Sequence, residues 1–165
     1  MKPFNSDVVR AHFDSALGPM TLAASARGLC GVWFDGQKHQ PDLHHLRQEP
    51  SHPLLLKTQQ QLTDYFAGQR TQFDVALDMQ CGTGFQQSVW QQLQTIAPGR
   101  TVSYGAIAAA LGRPTASRAV GAAVGRNPVS IIVPCHRVVG SSGALTGYAG
   151  GLDRKTALLH LESSL

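Results

Sequence analysis

No stretch of about 18 consecutive apolar residues occurs in this 165-residue chain, so no segment is suited to cross a membrane as a helix. Residues 1–5 (Met1, Lys2, Pro3, Phe4, Asn5) lack the apolar run of a secretory signal, which sets the expectation of a cytoplasmic protein. Cysteine is scarce. Cys30, Cys81 and Cys135 are odd in number and far apart, which argues for free thiols in a reducing compartment and against a disulfide framework. His12, His39, His44, His45 and His52 share no metal-ligand spacing with Cys30, so no metal is expected, and His39, His44 and His45 read as solvated loop residues. Repeats and low-complexity tracts are missing too. What remains, 42% hydrophobic and 15% charged residues, suits a compact chain of one or two domains.

Acidic residues are missing from one long interval. Between Asp78 and Asp153 there is no Asp or Glu, while Arg100, Arg113, Arg118, Arg126 and Arg137 all fall there. Residues 1–80 carry seven Lys/Arg and eight Asp/Glu, a balance of −1; residues 81–165 carry seven and two, a balance of +5. An acid-free, arginine-bearing half is the pattern of a polyanion binder, although a solvated basic face without a partner gives the same count.

Local patterning divides the chain near residue 80. Val8–Phe13 and Thr21–Ala24 flank the turn segment Ser15–Pro19 and predict a hairpin; Leu29–Phe34 predicts a third strand and Phe73–Leu77 a fourth. Residues 36–53 read as an exposed loop, and Leu54–Phe66 as an amphipathic helix stopped by Gly68. Gln80–Gly84 is the expected linker between domains 1–80 and 81–165. Beyond it, Thr83 caps a helix carrying Phe85, Val89, Trp90, Leu93 and Ile96, and Ser103 caps a second over Tyr104–Leu111. A third, capped by Thr115 or Ser117, runs to about Gly125, so the pair forms a helix-turn-helix. Gly121 and Gly125 are costly in a helix and imply close approach, either by another helix or by a nucleic-acid surface. A last helix covers about Asp153–Glu162.

The run Ile131-Ile132-Val133-Pro134-Cys135-His136-Arg137-Val138-Val139 predicts a strand, Val129–Val133, that delivers a thiol beside an imidazole and a guanidinium. A sulfur attacks as thiolate, and basic neighbours favour that form, whereas a buried structural cysteine is the alternative. A cysteine hydrolase also pairs Cys with His, but its His usually lies far from its Cys in sequence.

Pro134-Cys135-His136-Arg137-Val138 resembles the active-site signature of the O6-alkylguanine-DNA alkyltransferases. Ser103-Tyr104-Gly105, Ser117-Arg118-Ala119-Val120-Gly121, Asn127-Pro128 and the segment from Ser141-Ser142-Gly143 to Gly147-Tyr148-Ala149-Gly150-Gly151 agree with it. The likeness is dense over residues 83–162; over 1–80 it rests on Leu17-Gly18-Pro19 and Tyr65-Phe66-Ala67-Gly68.

The resemblance implies an α/β (α+β) fold: an N-terminal ribonuclease-H-like small sheet with a helix, then a helical, winged-helix or helix-turn-helix-like domain. It implies direct repair of double-stranded DNA bearing O6-alkylguanine, and less of O4-alkylthymine, by one irreversible transfer to Cys135 without a cofactor. Carried over residue by residue, His136 (through a water) and Glu162 deprotonate Cys135, Asn127 holds the turn before it, and Tyr104 crowds a phosphate and acts as general acid. Arg118 fills the gap left by the extruded base. Gly105, Ser117, Gly121 and Gly125 face the minor groove, and Arg113 and Ser141 meet phosphates. Val138, Tyr148, Ala149 and Ser130 form the lesion pocket. Ala149 stands where some relatives have Ser, and Ser130 where some have Pro, which implies a wider pocket. A monomer is implied in solution, with cooperative loading on DNA left open, and the N-terminal half is expected to be mainly a scaffold.

Overall fold

The computed structural model describes residues 1–163. The predicted hairpin forms as β1 (Val9–Ser15) and β2 (Gly18–Ser25), paired antiparallel from Val9↔Ala24 to Ser15↔Gly18. Its two-residue connection is tight because Gly18 takes a φ of 115° and the Ser15 hydroxyl bonds back to the Gly18 carbonyl. β3 (Gly28–Phe34) pairs antiparallel with β2, and every one of its residues is buried. Residues 36–53 are not simply an exposed loop. Leu43 and Leu46 are buried there, and β4 (Arg47–Gln48) pairs parallel with β1, giving the order β3-β2-β1-β4.

The sheet is covered on both faces. Helix α1 (Pro53–Phe66) places Leu55, Leu62 and Tyr65 against Met20, Leu22, Leu29, Val32 and Phe34. Val8, Ala23, Cys30, Trp33, Leu43 and Leu46 form a second small core. Pro53 starts α1 without losing a helical hydrogen bond, and His52 Nδ1 accepts from the Leu54 N–H. Phe73–Leu77 is not a regular strand: Leu77 makes a single parallel bridge to Leu29.

The free edge of β3 is the link to the rest of the molecule. Leu29 pairs with residues 76–78, whereas Val32 donates to the Pro128 carbonyl (2.8 Å) and accepts from the Ser130 N–H (2.9 Å). An edge that would otherwise invite pairing with another chain is thereby used to seat the segment leading to Cys135.

The second half is helical. α2 (Gly84–Leu93) begins with a capping box between Thr83 and Gln86; α3 (Tyr104–Ala110) is capped by Ser103. α4 (Ser117–Gly125) has Ala116 at its cap and no side-chain cap bond, so neither Thr115 nor Ser117 fills that place. α3 and α4 pack on each other and α4 on α2, where Trp90 Nε1 donates to the Ala123 carbonyl (2.8 Å). A short parallel pair, β5 (Val102–Ser103) and β6 (Val138–Val139), follows, and α5 (Leu152–Ser163) closes the fold. The main core runs without a break from Val9 to Leu158 across the expected domain boundary. No helix among the described residues is long and apolar enough to cross a membrane.

Candidate active site

Residues 129–133, expected as a strand, form a tight turn instead. Val129 bridges to Val32, and Ile131 then takes a φ of 72°, a conformation a β-branched residue adopts only under constraint. Asn127 supplies that constraint. Its Nδ2 donates to the carbonyls of Val133 (2.7 Å) and Val129 (3.3 Å), and its Oδ1 accepts from the Val129 N–H (3.0 Å). The turn ends at Pro134, and Cys135, His136 and Arg137 form one turn of 3-10 helix.

The thiol's two neighbours point away from it, onto one carboxylate. His136 Nε2 lies 2.7 Å from Glu162 Oε1. Arg137 donates from Nε to Oε2 (2.9 Å) and from Nη2 to Oε1 (2.7 Å), and its Nη1 donates to the Ile96 carbonyl. Tyr65, from α1, donates its hydroxyl to Oε1 (2.8 Å). Burial alone would raise the Glu162 carboxyl, but the bonds from His136 and Arg137 overcome it and hold it well below the carboxylate range. Burial lowers His136, so its imidazole rests neutral, with Nε2–H facing the ionised Glu162 and the lone pair on Nδ1. Nδ1 is buried and has no partner among the described residues.

Adjacency to His136 and Arg137 does not by itself favour the thiolate in this arrangement. Burial pushes the Cys135 thiol up, against a hydrogen bond from Asn127 and the charge of Lys155. Arg137 cannot compensate, because Glu162 already neutralises it. The thiol therefore rests protonated and needs a base at the moment of attack. The other cysteines are raised as well: burial and Asp78 push Cys30 up to about 12, and burial pushes Cys81 up to about 11.

A pH dependence follows from the two depressed groups. His136 sits below its ordinary 6.5 and Glu162 below its ordinary 4.5, so the unfolded chain takes up both protons first. Stability is expected to be full above pH 6.5 and to fall in two stages on acidification, His136 first and Glu162 second. Thermal melting against pH checks this, and His136→Gln should flatten the upper stage.

Cys135 opens on a cavity of about 370 Å³ whose wall includes Tyr104, Gly121, Gly125, Gly147, Tyr148 and Ala149. Val138 and Ser130, expected on that wall, are buried and do not line it. Tyr104 donates to the Thr146 carbonyl (3.2 Å), and the Tyr148 hydroxyl is buried with Ser130 beside it. Two residues that sequence reasoning missed also line the cavity. Lys38 and His39 come from the turn after β3, where His39 takes a φ of 62° and the Lys38 N–H donates to the Ala149 carbonyl (3.0 Å). The first half thus contributes to the pocket, and His39, exposed in its turn as expected, also lies on the cavity wall.

Lys155 is a second miss. Counted at first with the surface charge, it is buried, and its Nζ donates to the carbonyls of Val138 (2.6 Å), Thr146 (2.9 Å) and Gly147 (3.2 Å). All three ammonium donors are satisfied, and the loop at 146–147 is tied to β6. The spacing Lys155, Leu158, Glu162 is one face of α5, a signal legible as helical periodicity. Arg154 is also engaged internally, donating to the Leu17 and Gly150 carbonyls and lying 4.4 Å from the Phe34 ring centroid.

With Arg137, Arg154 and Lys155 turned inward, the exposed arginines of the second half are Arg100, Arg113, Arg118 and Arg126. Arg118 stands exposed in the first turn of α4, next to half-buried Ser117; Gly105 and Ser141 are exposed, and Arg113 lies 5.6 Å from the Phe85 ring centroid. A side chain at Gly125 would meet nothing within 4 Å, and one at Gly121 would only touch the Tyr104 ring. Gly125 therefore leaves open space beside the cavity, while Gly121 faces the Tyr104 ring of α3 across the α3–α4 contact. No group of three His, Cys, Asp or Glu among the described residues is placed to hold a metal.

This geometry has counterparts. Residues 8–79 match the family model of the 6-O-methylguanine DNA methyltransferase ribonuclease-like domain, and residues 84–164 that of the DNA binding domain. A methylated-DNA–protein-cysteine methyltransferase of Mycobacterium tuberculosis is 51% identical over 151 residues, 92% of this chain and 90% of the relative. One from Methanosarcina acetivorans is 48% identical over 154 residues, 93% of this chain and 97% of the relative. The crystal structure of Mycobacterium tuberculosis OGT in complex with DNA superimposes with a TM-score of 0.88 at 49% identity, covering 94% of this chain and 93% of that one. Both halves match models of one family, and the likeness runs through nearly the whole sequence: the chain belongs to the 6-O-methylguanine DNA methyltransferase family.

Proposed function

We propose that this protein is a methylated-DNA–protein-cysteine methyltransferase, repairing O6-alkylguanine in double-stranded DNA by moving the alkyl group onto Cys135. The observation that carries this reading is a thiol opening on a cavity, with a neutral imidazole beside it oriented by an ionised, buried carboxylate. His136 Nδ1 takes the Cys135 proton through a bridging water, and Glu162 steadies the resulting imidazolium. The sulfur then attacks the saturated carbon. An S–C bond forms, the C–O6 bond breaks, and guanine leaves with the electron pair and takes up a proton. Tyr104 supplies that proton or hydrogen bond, giving up its bond to Thr146. The thioether product does not hydrolyse, so each molecule acts once, and no cofactor enters the reaction.

Access needs an extruded nucleotide, which costs a few kcal/mol. Arg118 enters the stack from α4, the open surface at Gly105, Ser117, Gly121 and Gly125 accepts the minor groove, and Arg113 and Ser141 hold phosphates. Residues 1–80 and 81–165 act as two domains sharing one core, in a cytoplasmic monomer. Small residues at the mouth and Ala149 on the wall support acceptance of adducts larger than methyl. Reaction with O6-benzylguanine is the expected outcome, and reaction with O6-methylguanine alone would refute it.

Intact-protein mass spectrometry after incubation with O6-methylguanine duplex tests the whole reading. One methyl group per chain, mapped to the peptide containing Cys135, is expected; repeated turnover would instead indicate a hydrolase. Arg118→Ala is expected to slow repair in duplex DNA by about tenfold, equivalent to 1.4 kcal/mol, while leaving reaction with free O6-benzylguanine unchanged. Equal losses on both substrates would place Arg118 in the fold and not in the stack.

A further inference from the structure

Tyr65 belongs to the half of the chain expected to act as a scaffold, yet its hydroxyl reaches a carboxylate 97 residues away. The ring has ordinary reasons to be buried. It continues the inward stripe of α1 and packs with centroids 5.5 Å from both Phe66 and Phe73. A phenylalanine would satisfy all of that packing. Only Glu162 gives the hydroxyl a purpose.

The oxygen it binds is crowded. Glu162 Oε1 receives Tyr65 Oη, His136 Nε2 and Arg137 Nη2, whereas Oε2 receives Arg137 Nε alone. One carboxylate oxygen offers two lone pairs, so three donors compete for it. Whatever Tyr65 and Arg137 withdraw is lost to the His136 bond.

We propose that Tyr65 is a positioning residue of the proton relay: its hydroxyl fixes Glu162 from the N-terminal half and, by competing for Oε1, sets how readily His136 takes a proton. This rests on the assignment of Cys135 as nucleophile and His136 as base. The ionisable groups facing the relay are Tyr65 from α1, Cys135 and Arg137 from the 3-10 turn, Lys155 and Glu162 from α5, and Tyr148 from the cavity wall. Among them, Tyr65 is a neutral donor whose hydroxyl can rotate away as His136 becomes charged. Without it, Oε1 binds Nε2–H more strongly, the imidazolium is stabilised, and His136 holds its proton to higher pH.

The test is the pH profile of single-turnover methyl transfer from O6-methylguanine duplex. Tyr65→Phe is expected to move the acid limb, where rate is lost to His136 protonation, upward by roughly half to one pH unit. Site-specific 3-fluorotyrosine at position 65, a stronger donor of nearly the same shape, should move it downward. Leu62→Val, a packing change on the same stripe, should leave it in place. Unshifted limbs in the Tyr65→Phe and fluorotyrosine proteins, or an equal shift in Leu62→Val, would overturn the proposal, and the fluorotyrosine protein decides the matter alone if Tyr65→Phe does not fold. In every case, methyl still mapped to Cys135 keeps the underlying assignment intact, whereas methyl elsewhere removes that assignment itself.

Discussion

Cys135→Ser is expected to eliminate methyl transfer while leaving affinity for duplex DNA close to that of the parent chain. The hydroxyl is a poor nucleophile at neutral pH, and a neutral imidazole positioned for a thiol cannot make it a good one. The substitution stays inside the cavity, away from exposed Arg113, Arg118 and Arg126. Its effect on stability should be about 1 kcal/mol, because a small buried group changes without creating a cavity. Mass spectrometry for transfer and gel mobility for binding separate the two properties. Any transfer at the parent rate, or any methylation of Cys30 or Cys81, would move the nucleophile elsewhere; neither of those two lines the cavity on which Cys135 opens, which argues against that outcome.

The second large effect falls on stability. Arg137→Met should destabilise the fold by about 3–5 kcal/mol, since it removes the cation from a fully buried carboxylate while His136 rests neutral beside it. For a chain of this size, that corresponds to a fall in melting temperature on the order of 10 °C. The Ile96 carbonyl would lose its donor as well. The double variant Arg137→Met/Glu162→Leu should recover part of the loss, because the stranded charge goes too. Its transfer should still be slow, as His136 Nε2 then has no acceptor. Thermal melts with single-turnover rates check both statements, and no recovery in the double variant would mean that the pair is held for packing alone.

The Glu162–Arg137 pair shows where linear reading stops. Arg137 looked like part of a basic surface and a promoter of thiolate, because only its position next to Cys135 could be seen. The structure turns it inward to Glu162 and Ile96. Val129–Val133 looked like a strand from its β-branched composition, yet Asn127 takes over the backbone groups a strand would pair and bends the segment through Ile131. Lys155 was hidden by its charge, although its spacing with Leu158 and Glu162 placed it on the buried face of α5.

Sequence alone determined the hairpin, the capped helices, the helix-turn-helix and the cysteine signature, because each depends on residues within a turn or two of one another: Gly18 in its turn, Thr83 with Gln86, Ser103 before Tyr104, His136 beside Cys135. Only the tertiary structure decided the protonation states and the membership of the pocket. Tyr65 meets Glu162, Lys38 meets Ala149, and Val32 seats Pro128 and Ser130 across separations that no local pattern encodes. Burial and hydrogen-bond partners set those charges, and both come into being only when distant segments close around the same space.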